Sequence, residues 1–571
     1  MARQLKKYIQ PINPTDEERY KMLQITLQEA NRLEDFYNII EILSPPKDIT
    51  TIKESGSCRG SSVGIIGGGL AGLASAFELR KLGFDITIFE TQENRIGGRV
   101  YTHYFDKEKK LYGECGAMRI PASHETTWHY INTFGLKTRP FIQSNENTFI
   151  YVRNKRARND PKGRSVMENI YPEFNLTPIE KVTPWQKLIG DALVSNLMKM
   201  EPEIRKELIQ VKNDYSAIIK YLGSRSIREV LEKSPLSQDA IELISGIAPF
   251  LGAFYYNSYS ENLIEEYTLD YAYRYEIVDG MINFPLSFYY SLISEKPNEY
   301  SNINEKNLGK VVWGNGKTVT GIFEEEKSNK VMLEYTDSKS TETHRQDFDF
   351  VICAIPFSSL RNLEIYPMFS DRKMQAIKEV FYTSSQKTIF MCKERFWEKG
   401  NKEERIFGGG SSTDLPISTI WYPSHNSGFE NGGIEEREKS VIKSNVLGVL
   451  LASYNLNQDA IRVGNLEDSV RFEKIKRQIE AVHGLKEGYL DSIVEEFITV
   501  DWNREKGFYG GFCYFKPEQQ VLFSYAMEQP EYNNKIFFAG EHISLTHGWI
   551  EGALSTGMKA ANSIAEKCKR I

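Results

Sequence analysis

Three glycines, Gly67, Gly69 and Gly72, directly follow the short apolar β-branched run Val63–Gly67. A helix-like stretch with Leu73, Ala76, Phe77 and Leu79 comes next, then a strand-like run Phe84–Phe89 that ends in Glu90. Strand, glycines, helix, strand and acid in this register are the fingerprint of a dinucleotide-binding βαβ unit. Gly67 permits the tight turn, Gly69 lets main chain approach a pyrophosphate, and Gly72 lets helix and strand pack closely. Leu70 and Ala71 open the helix whose amide end would face that pyrophosphate. Glu90 can accept hydrogen bonds from ribose hydroxyls. A nicotinamide domain would continue with ordinary βα units. Here Arg95-Ile-Gly97-Gly98-Arg99 follows, which offers a second loop to wrap the phosphates and a ring system.

Further segments share this company: Asp349–Pro356, Phe537-Phe-Ala-Gly540-Glu541 and His547-Gly-Trp549-Ile550-Glu-Gly552-Ala. With the Gly97-Gly98 loop, they resemble the flavin amine oxidase superfamily of monoamine, polyamine and L-amino-acid oxidases, over about residues 60–570. The resemblance implies FAD, with Gly116, Ala117, Met118, Arg119, Val311, Gly540, Glu541, Trp549 and Ile550 among its contacts. Glu541 would bond a ribityl hydroxyl, and Trp549 would stand beside the reactive face. The helix that starts beyond Trp549 would aim its positive end at the pyrimidine edge, where reduction places negative charge. Covalent members use a cysteine near this last motif. Cys513 and Cys568 lie outside Gly540–Gly552, so noncovalent binding is expected.

Gly116-Ala117-Met118-Arg119-Ile120-Pro121 is similar to the motif of L-amino-acid oxidases, including those of snake venoms. There the arginine binds the substrate carboxylate, for which a planar guanidinium is the natural bidentate partner. Ser411–Pro416 and Trp421-Tyr422-Pro423-Ser-His425-Asn426 resemble the same subfamily, and Tyr422 aligns with a tyrosine that helps hold the carboxylate. Taken singly, Arg119 also reads as a structural ion-pair residue and Tyr422 as a core tyrosine; in this order they read as a site. Lys387 falls on the family lysine that reaches flavin N5 through a water. Alternation around it predicts a strand, with Lys387 on a different face from Ile389. Most lysines are solvated, and that alternative stands beside the catalytic one. Trp502 matches a family tryptophan, with packing an equal alternative. Some venom oxidases bring a histidine from the helical domain, but no histidine lies between His129 and His344. His425 and His547 lie inside matched motifs without forming a Ser/His/Asp triad or a metal spacing.

The activity this implies is oxidation of an L-amino acid to a 2-oxo acid and ammonia, with O₂ reduced to H₂O₂. Two enzymes share the pattern as alternatives: an amino-acid 2-monooxygenase, which decarboxylates to an amide, and an amine oxidase. A flavin-bound scaffold is the non-enzymatic alternative.

The elements that must position these residues are far apart in a chain of 571 residues. The fold expected is α/β (α+β), a Rossmann-like FAD-binding domain of the amine oxidase type with a discontinuous β-rich substrate domain and a helical cap. Residues 57–117, 272–365 and 503–571 should build the FAD domain, and 118–176 and 366–502 the substrate domain. Residues 177–271 should form the helical cap; Ile227–Glu232 and Ala240–Ile244 have its periodicity. Residues 1–56 should form an arm packed on the substrate domain. Its helix is signalled by the capping-box pair Thr15 and Glu18, then Met22, Leu23, Leu27 and Ala30.

Composition excludes other classes. Hydrophobic residues make up 40% and charged residues 26%, enough for packed cores and unlike a disordered chain. The net charge of −6 gives no basic footprint for nucleic acid. Mean hydropathy is −0.44 and no run of 18 apolar residues occurs, so no membrane span is expected. Met1–Gln10 has no apolar core of a secretory signal. The six cysteines form no CxxC pair, and Cys353 lies in the apolar run Phe350–Ile355, where a buried reduced thiol is the default. Lys569 and Arg570 do not make Cys568 a prenylation signal. A reduced, cytoplasmic chain is expected, as a homodimer or higher homo-oligomer. The charged runs Glu324–Lys330 and Gly433–Lys443 read as solvated turns or insertions.

Overall fold

The computed structural model describes residues 9–325, 329–340, 342–424 and 446–568. The run at 433–443, His425 and residues 326–328 lie outside the described residues.

A five-stranded parallel sheet organises one end of the molecule. Its order is Val311–Asn315, Asp85–Glu90, Ser62–Ile66, Phe350–Cys353 and Ile536–Phe538. The central strands are nearly continuous Val, Ile and Phe because helices and a second sheet cover both faces, as parallel sheets require. Cys353 is fully buried at the end of its strand. On one face the helix Leu70–Lys81 packs against the C-terminal helix Ile550–Lys567. The contact is close because Gly557 has no side chain: a Cβ there would sit 2.5 Å from the Ala71 carbonyl oxygen. Ser75 Oγ donates to the Gly557 carbonyl at 2.9 Å across the same seam. On the other face lies a four-stranded sheet in the order Thr343–Phe348, Lys330–Asp337, Lys317–Glu325 and Glu364–Tyr366. Phe348 and Leu333 press onto Gly64 of the central strand.

A seven-stranded sheet organises the other end. It runs Val494–Asp501, Ser385–Cys392, Gly448–Leu456, Thr419–Trp421, Gly410–Thr413, Phe149–Val152 and Lys155–Arg158. Every position of Ser385–Cys392 is buried, because both faces of this strand are covered. A strand's side chains alternate, so residues two apart share a face. Ile389 packs on Gly113, and Lys387 reaches the main chain at Glu114 and Gly116, so the two lie on one face. The sequence reading that put them on different faces is corrected by this simple period. Thr388 points the other way, to Thr499 Oγ1 at 2.8 Å.

Helices fill much of the stretch between 164 and 268, including Ile227–Lys233 and Gln238–Ile247. The arm helix Asp16–Glu29 has the reciprocal Thr15–Glu18 capping box and buries Met22, Leu23 and Leu27. Its Arg19 pairs with Glu125 at 2.6 Å, and Arg32 and Arg205 meet at Asp35. No helix is long and apolar enough to cross a membrane among the described residues.

A small three-stranded sheet joins the two ends. It pairs Ile120–Pro121 and Thr138–Phe141 with the central strand Arg274–Ile277. Arg274 and Gln143 lie at one end of this sheet, and Arg119, which precedes Ile120 at the Glu276 end, reaches Gln143 with its long side chain.

Candidate active site

One cavity of 2570 Å³ runs from the parallel sheet to the arm, well beyond the ordinary size of a small-molecule pocket. At the parallel sheet its wall is glycine main chain. Gly67 has φ 105°, a conformation open to glycine, and turns the chain out of its strand. Gly69 caps the helix Leu70–Lys81 with no side-chain hydrogen bond to the first amides, which leaves them for a ligand. Gly97 and Gly98, both at positive φ, lay a second loop against the first. The Gly97 amide donates to the Gly68 carbonyl at 3.1 Å, and a Cβ on Gly98 would stand 3.1 Å from the Gly69 Cα. Glu90, at the end of its strand, accepts the Gly68 and Gln92 amides at 2.9 and 2.8 Å and lines the cavity. Gly72 lies behind this surface: a Cβ there would fall 2.1 Å from the Gly67 carbonyl. This cradle has the free amides and the ribose acid that a dinucleotide requires.

The second wall comes from the chain's far end. Glu541 accepts Arg99 Nη1 at 2.9 Å, the Cys513 amide at 3.0 Å and the Gly548 amide at 2.9 Å. Burial alone would raise its carboxyl, but the Arg99 guanidinium and nearby histidines hold it below the usual range. Gly540, Trp549 and Ile550 also line the cavity. Trp549 caps the helix Ile550–Lys567 without a side-chain bond, so that helix too presents open amides. Phe512 and Tyr514 face the cavity, while Cys513 between them does not.

Between the walls stands a polar group. Arg119 stacks on Trp421 at 4.8 Å and on Phe141 at 5.7 Å, and its Nη1 donates to Gln143 Oε1 at 3.1 Å. Lys387 Nζ donates to the Gly116 carbonyl at 2.6 Å and the Glu114 carbonyl at 3.1 Å, and lies 4.6 Å from the Tyr454 ring centre. Met118 Sδ stands 3.4 Å away. Burial and then the Arg119 cation push the Lys387 ammonium down to about 7. Gly116 has a steric reason: a Cβ there would meet the Arg99 carbonyl at 1.8 Å. Gly116, Ala117, Met118, Arg119 and Lys387 all line the cavity, as does Trp502, whose Nε1 donates to the Cys115 carbonyl.

Besides Gly72, three expected site residues do not line it. Tyr422 is on the opposite face of the seven-stranded sheet, with its hydroxyl 2.9 Å from Ser411 Oγ and 2.8 Å from His483 Nε2. Trp421 faces Arg119 instead, since neighbours in a strand alternate, and Tyr454 lines the cavity beside Lys387. Arg95 folds back among Tyr101, Phe508 and Trp502 and donates to the Gly98 carbonyl, so it braces the glycine loop from behind. Val311 pairs with Ile86, at the N-terminal end of the parallel strands. The ligand crevice of such a sheet is at the carboxyl ends, and Val319 of the second sheet lines it.

Sequence reasoning also missed Gln143, Glu265, Arg274 and Tyr454. None belongs to a local motif; only the packing of separate elements brings them together.

The family described as "Flavin containing amine oxidoreductase" matches residues 70–284 and 304–565. L-amino acid oxidase bordonein-L of Crotalus durissus terrificus is 28% identical over 541 residues, covering 94% of this chain and 92% of that one. The L-amino-acid oxidase of Bothrops atrox is 28% identical over 542 residues, 94% of each chain. Among solved structures, a putrescine oxidase bound to putrescine superposes with TM-score 0.64 at 15% identity, covering 88% of this chain and 98% of its own. Cyclohexylamine oxidase from Brevibacterium oxydans IH-35A gives 0.61 at 18% identity, covering 89% and 99%. The structural neighbours share the fold, and the family match spans most of the sequence: the chain belongs to the flavin-containing amine oxidoreductases.

Proposed function

We propose that the protein is an FAD-dependent L-amino-acid oxidase, forming a 2-oxo acid, ammonia and H₂O₂. The observation that carries this reading is Arg119. Its guanidinium faces the cavity between Trp421 and Lys387, with a neutral amide as its one hydrogen-bond partner among the described residues. An amine without a carboxylate would leave that cavity-facing cation without an anion. A carboxylate would meet it bidentately. Relatives named L-amino-acid oxidases along nearly the whole chain support the same choice.

In this reading, the glycine loops, Glu90 and Arg99 hold the dinucleotide, and Glu541 and the helix behind Trp549 hold the flavin end. The bound flavin would take a hydride from the substrate's α-carbon and pass electrons to O₂. Arg119 would orient the α-carboxylate, and Tyr454 and Trp421 would bound it. Lys387, held by two carbonyls, would keep a cation and its water at the reacting end. Binding would be noncovalent, because Cys513 faces away from the cavity between two residues that line it.

Adding L-amino acids to the anaerobic holoprotein tests this. Bleaching of the flavin band, followed in air by 2-oxo acid, ammonium and peroxide, is expected. An amide with CO₂ would make it a monooxygenase, and bleaching by amines alone would make it an amine oxidase. Flavin that stays with acid-precipitated protein would refute noncovalent binding.

A further inference from the structure

A second arginine stands beside Arg119. Arg274 begins the central strand of the three-stranded sheet and lines the same cavity, though it is only 1% exposed. Its Nε donates to the Asp270 carbonyl at 2.6 Å, and its Nη1 donates to Gln143 Oε1 at 2.5 Å. That is the oxygen that Arg119 also uses, so two guanidinium groups stand within two hydrogen-bond lengths of each other. Arg274 stacks on Tyr271 at 4.7 Å and on Trp549 at 5.1 Å, which fixes its plane. Its Nη2 has no hydrogen bond among the described residues, and neither arginine has a carboxylate within ion-pairing distance there.

Resting on the oxidase reading, we propose that the substrate is an L-amino acid with a carboxylate on its side chain, and that Arg274 is the residue that selects it. One α-carboxylate satisfies one guanidinium fork, at Arg119. The other fork then remains a buried charge unless a second anion arrives, and a lone buried charge is strongly unfavourable. The side-chain carboxylate of aspartate or glutamate is two or three bonds from the α-carbon, a separation suited to neighbouring forks. Planar guanidinium stacked on an aromatic ring is the arrangement that recognises such a group bidentately.

The carboxylates nearby do not serve this purpose. Asp270 meets His124 Nε2 through Oδ1 at 3.0 Å, and its Oδ2, without a hydrogen-bond partner among the described residues, lies beyond ion-pairing distance of Arg274. Glu265 is hydrogen-bonded by the Tyr271 hydroxyl, and burial together with Asp270, Glu261 and Glu266 pushes its carboxyl up to about 8 against the pull of Arg274, which favours its protonated form. With Arg119, Arg274 and Lys387 around it, this end of the cavity favours anions over a lysine or arginine side chain.

Anaerobic stopped-flow reduction of the holoprotein at pH 7 by glutamate, aspartate, leucine, phenylalanine, lysine and arginine (all L) tests the proposal. Glutamate or aspartate should lead the neutral and cationic substrates by about tenfold or more in reduction rate over Kd, the margin of one charge-assisted pair. Arg274→Gln should lower the acidic-to-neutral ratio by about ten- to a hundredfold, and Arg274→Lys should lower it less. The lysine variant keeps the charge and serves if the glutamine variant fails to fold. Preference for leucine, phenylalanine, lysine or arginine overturns the assignment while leaving the oxidase reading intact. An equal loss on acidic and neutral substrates overturns it too, making Arg274 a second α-carboxylate ligand. No reduction by any of the six, with reduction by amines, overturns the oxidase reading itself.

Discussion

At one end of the cavity the lining is main chain. Gly67, Gly69, Gly97 and Gly98 present amides and carbonyls, and one long-range carboxylate, Glu541, locks the far wall to Arg99. At the other end the lining is side chains: Arg119, Gln143, Arg274, Lys387, Trp421 and Tyr454 come from separate segments between residues 119 and 454. A main-chain surface depends on where side chains are missing, so a substitution there acts by adding atoms. A side-chain surface depends on which groups are present, so a substitution acts by removing a charge or a hydroxyl. The two ends should fail differently, and each prediction uses that difference.

The largest effect is expected at Gly72. A Cβ there would lie 2.1 Å from the Gly67 carbonyl, in main chain that cannot give way without opening the glycine turn. Gly72→Val should yield protein without flavin, or no soluble protein, since overpacking of this kind costs about 1–3 kcal/mol or more. The flavin-to-protein absorbance ratio after purification measures it. A variant with full flavin content would show that the turn is not what holds the dinucleotide.

Arg119 should give the opposite signature. Arg119→Lys keeps a charge but loses the fork and the Trp421 stack. Losing a charge-assisted pair costs about 1.5–3 kcal/mol, or about one to two decades in kcat/KM. Flavin content should remain normal, since Arg119 meets Gln143 and Trp421 rather than the glycine loops. Unchanged kinetics on amino acids, or equal use of decarboxylated amines, would sink the carboxylate assignment.

The same difference explains what could be read from the sequence. The glycine turn, the acid at Glu90 and the Gly540-Glu541 and Gly548–Gly552 segments are local, and Gly67, Gly72, Gly540 and Gly552 stand where a Cβ has no room. Residue type and spacing therefore carry the geometry. At the side-chain end, Arg119 was legible because it sits in a local motif. Gln143, Arg274 and Tyr454 were not, because the three-stranded sheet and the strand Gly448–Leu456 bring them in from distant segments. Tyr422 shows how narrow the margin is: one residue along a strand exchanges the cavity for the core, and Trp421 has the cavity side. Val311 erred along the strand rather than across it, at the wrong end of a parallel sheet.

Lys387 should separate two steps rather than abolish either. Its ammonium is pushed down to about 7, so the cation is present below that pH and lost above it. A cation at the reacting end stabilises negative charge that develops when O₂ is reduced, and Lys387→Met should slow reoxidation by about tenfold or more. Anaerobic reduction by substrate should change by less. In the parent protein reoxidation should slow as pH rises through about 7, and in the variant that dependence should vanish. Stopped-flow absorbance resolves the two steps. A large loss in reduction with normal reoxidation would assign Lys387 to substrate positioning or amine deprotonation instead.

The smallest effect belongs to the corrected residue, and it is the sharpest test of which tyrosine the cavity uses. Tyr422→Phe removes a buried hydroxyl that meets Ser411 and His483, in a core with no access to the cavity. Burial drives the His483 imidazole down to about 3, so it is neutral and its bond to Tyr422 is an uncharged one. Such a loss costs about 1 kcal/mol in stability and should lower Tm by a few degrees, with KM for amino acids unchanged. Tyr454→Phe reverses the pattern: Tyr454 lines the cavity and its hydroxyl lies near the Arg119 guanidinium, so its loss should raise KM several-fold with little change in Tm. A higher KM in Tyr422→Phe with an unaffected Tyr454→Phe would return the carboxylate contact to Tyr422, and would require the strand Thr419–Trp421 and its continuation to turn their other face to the substrate.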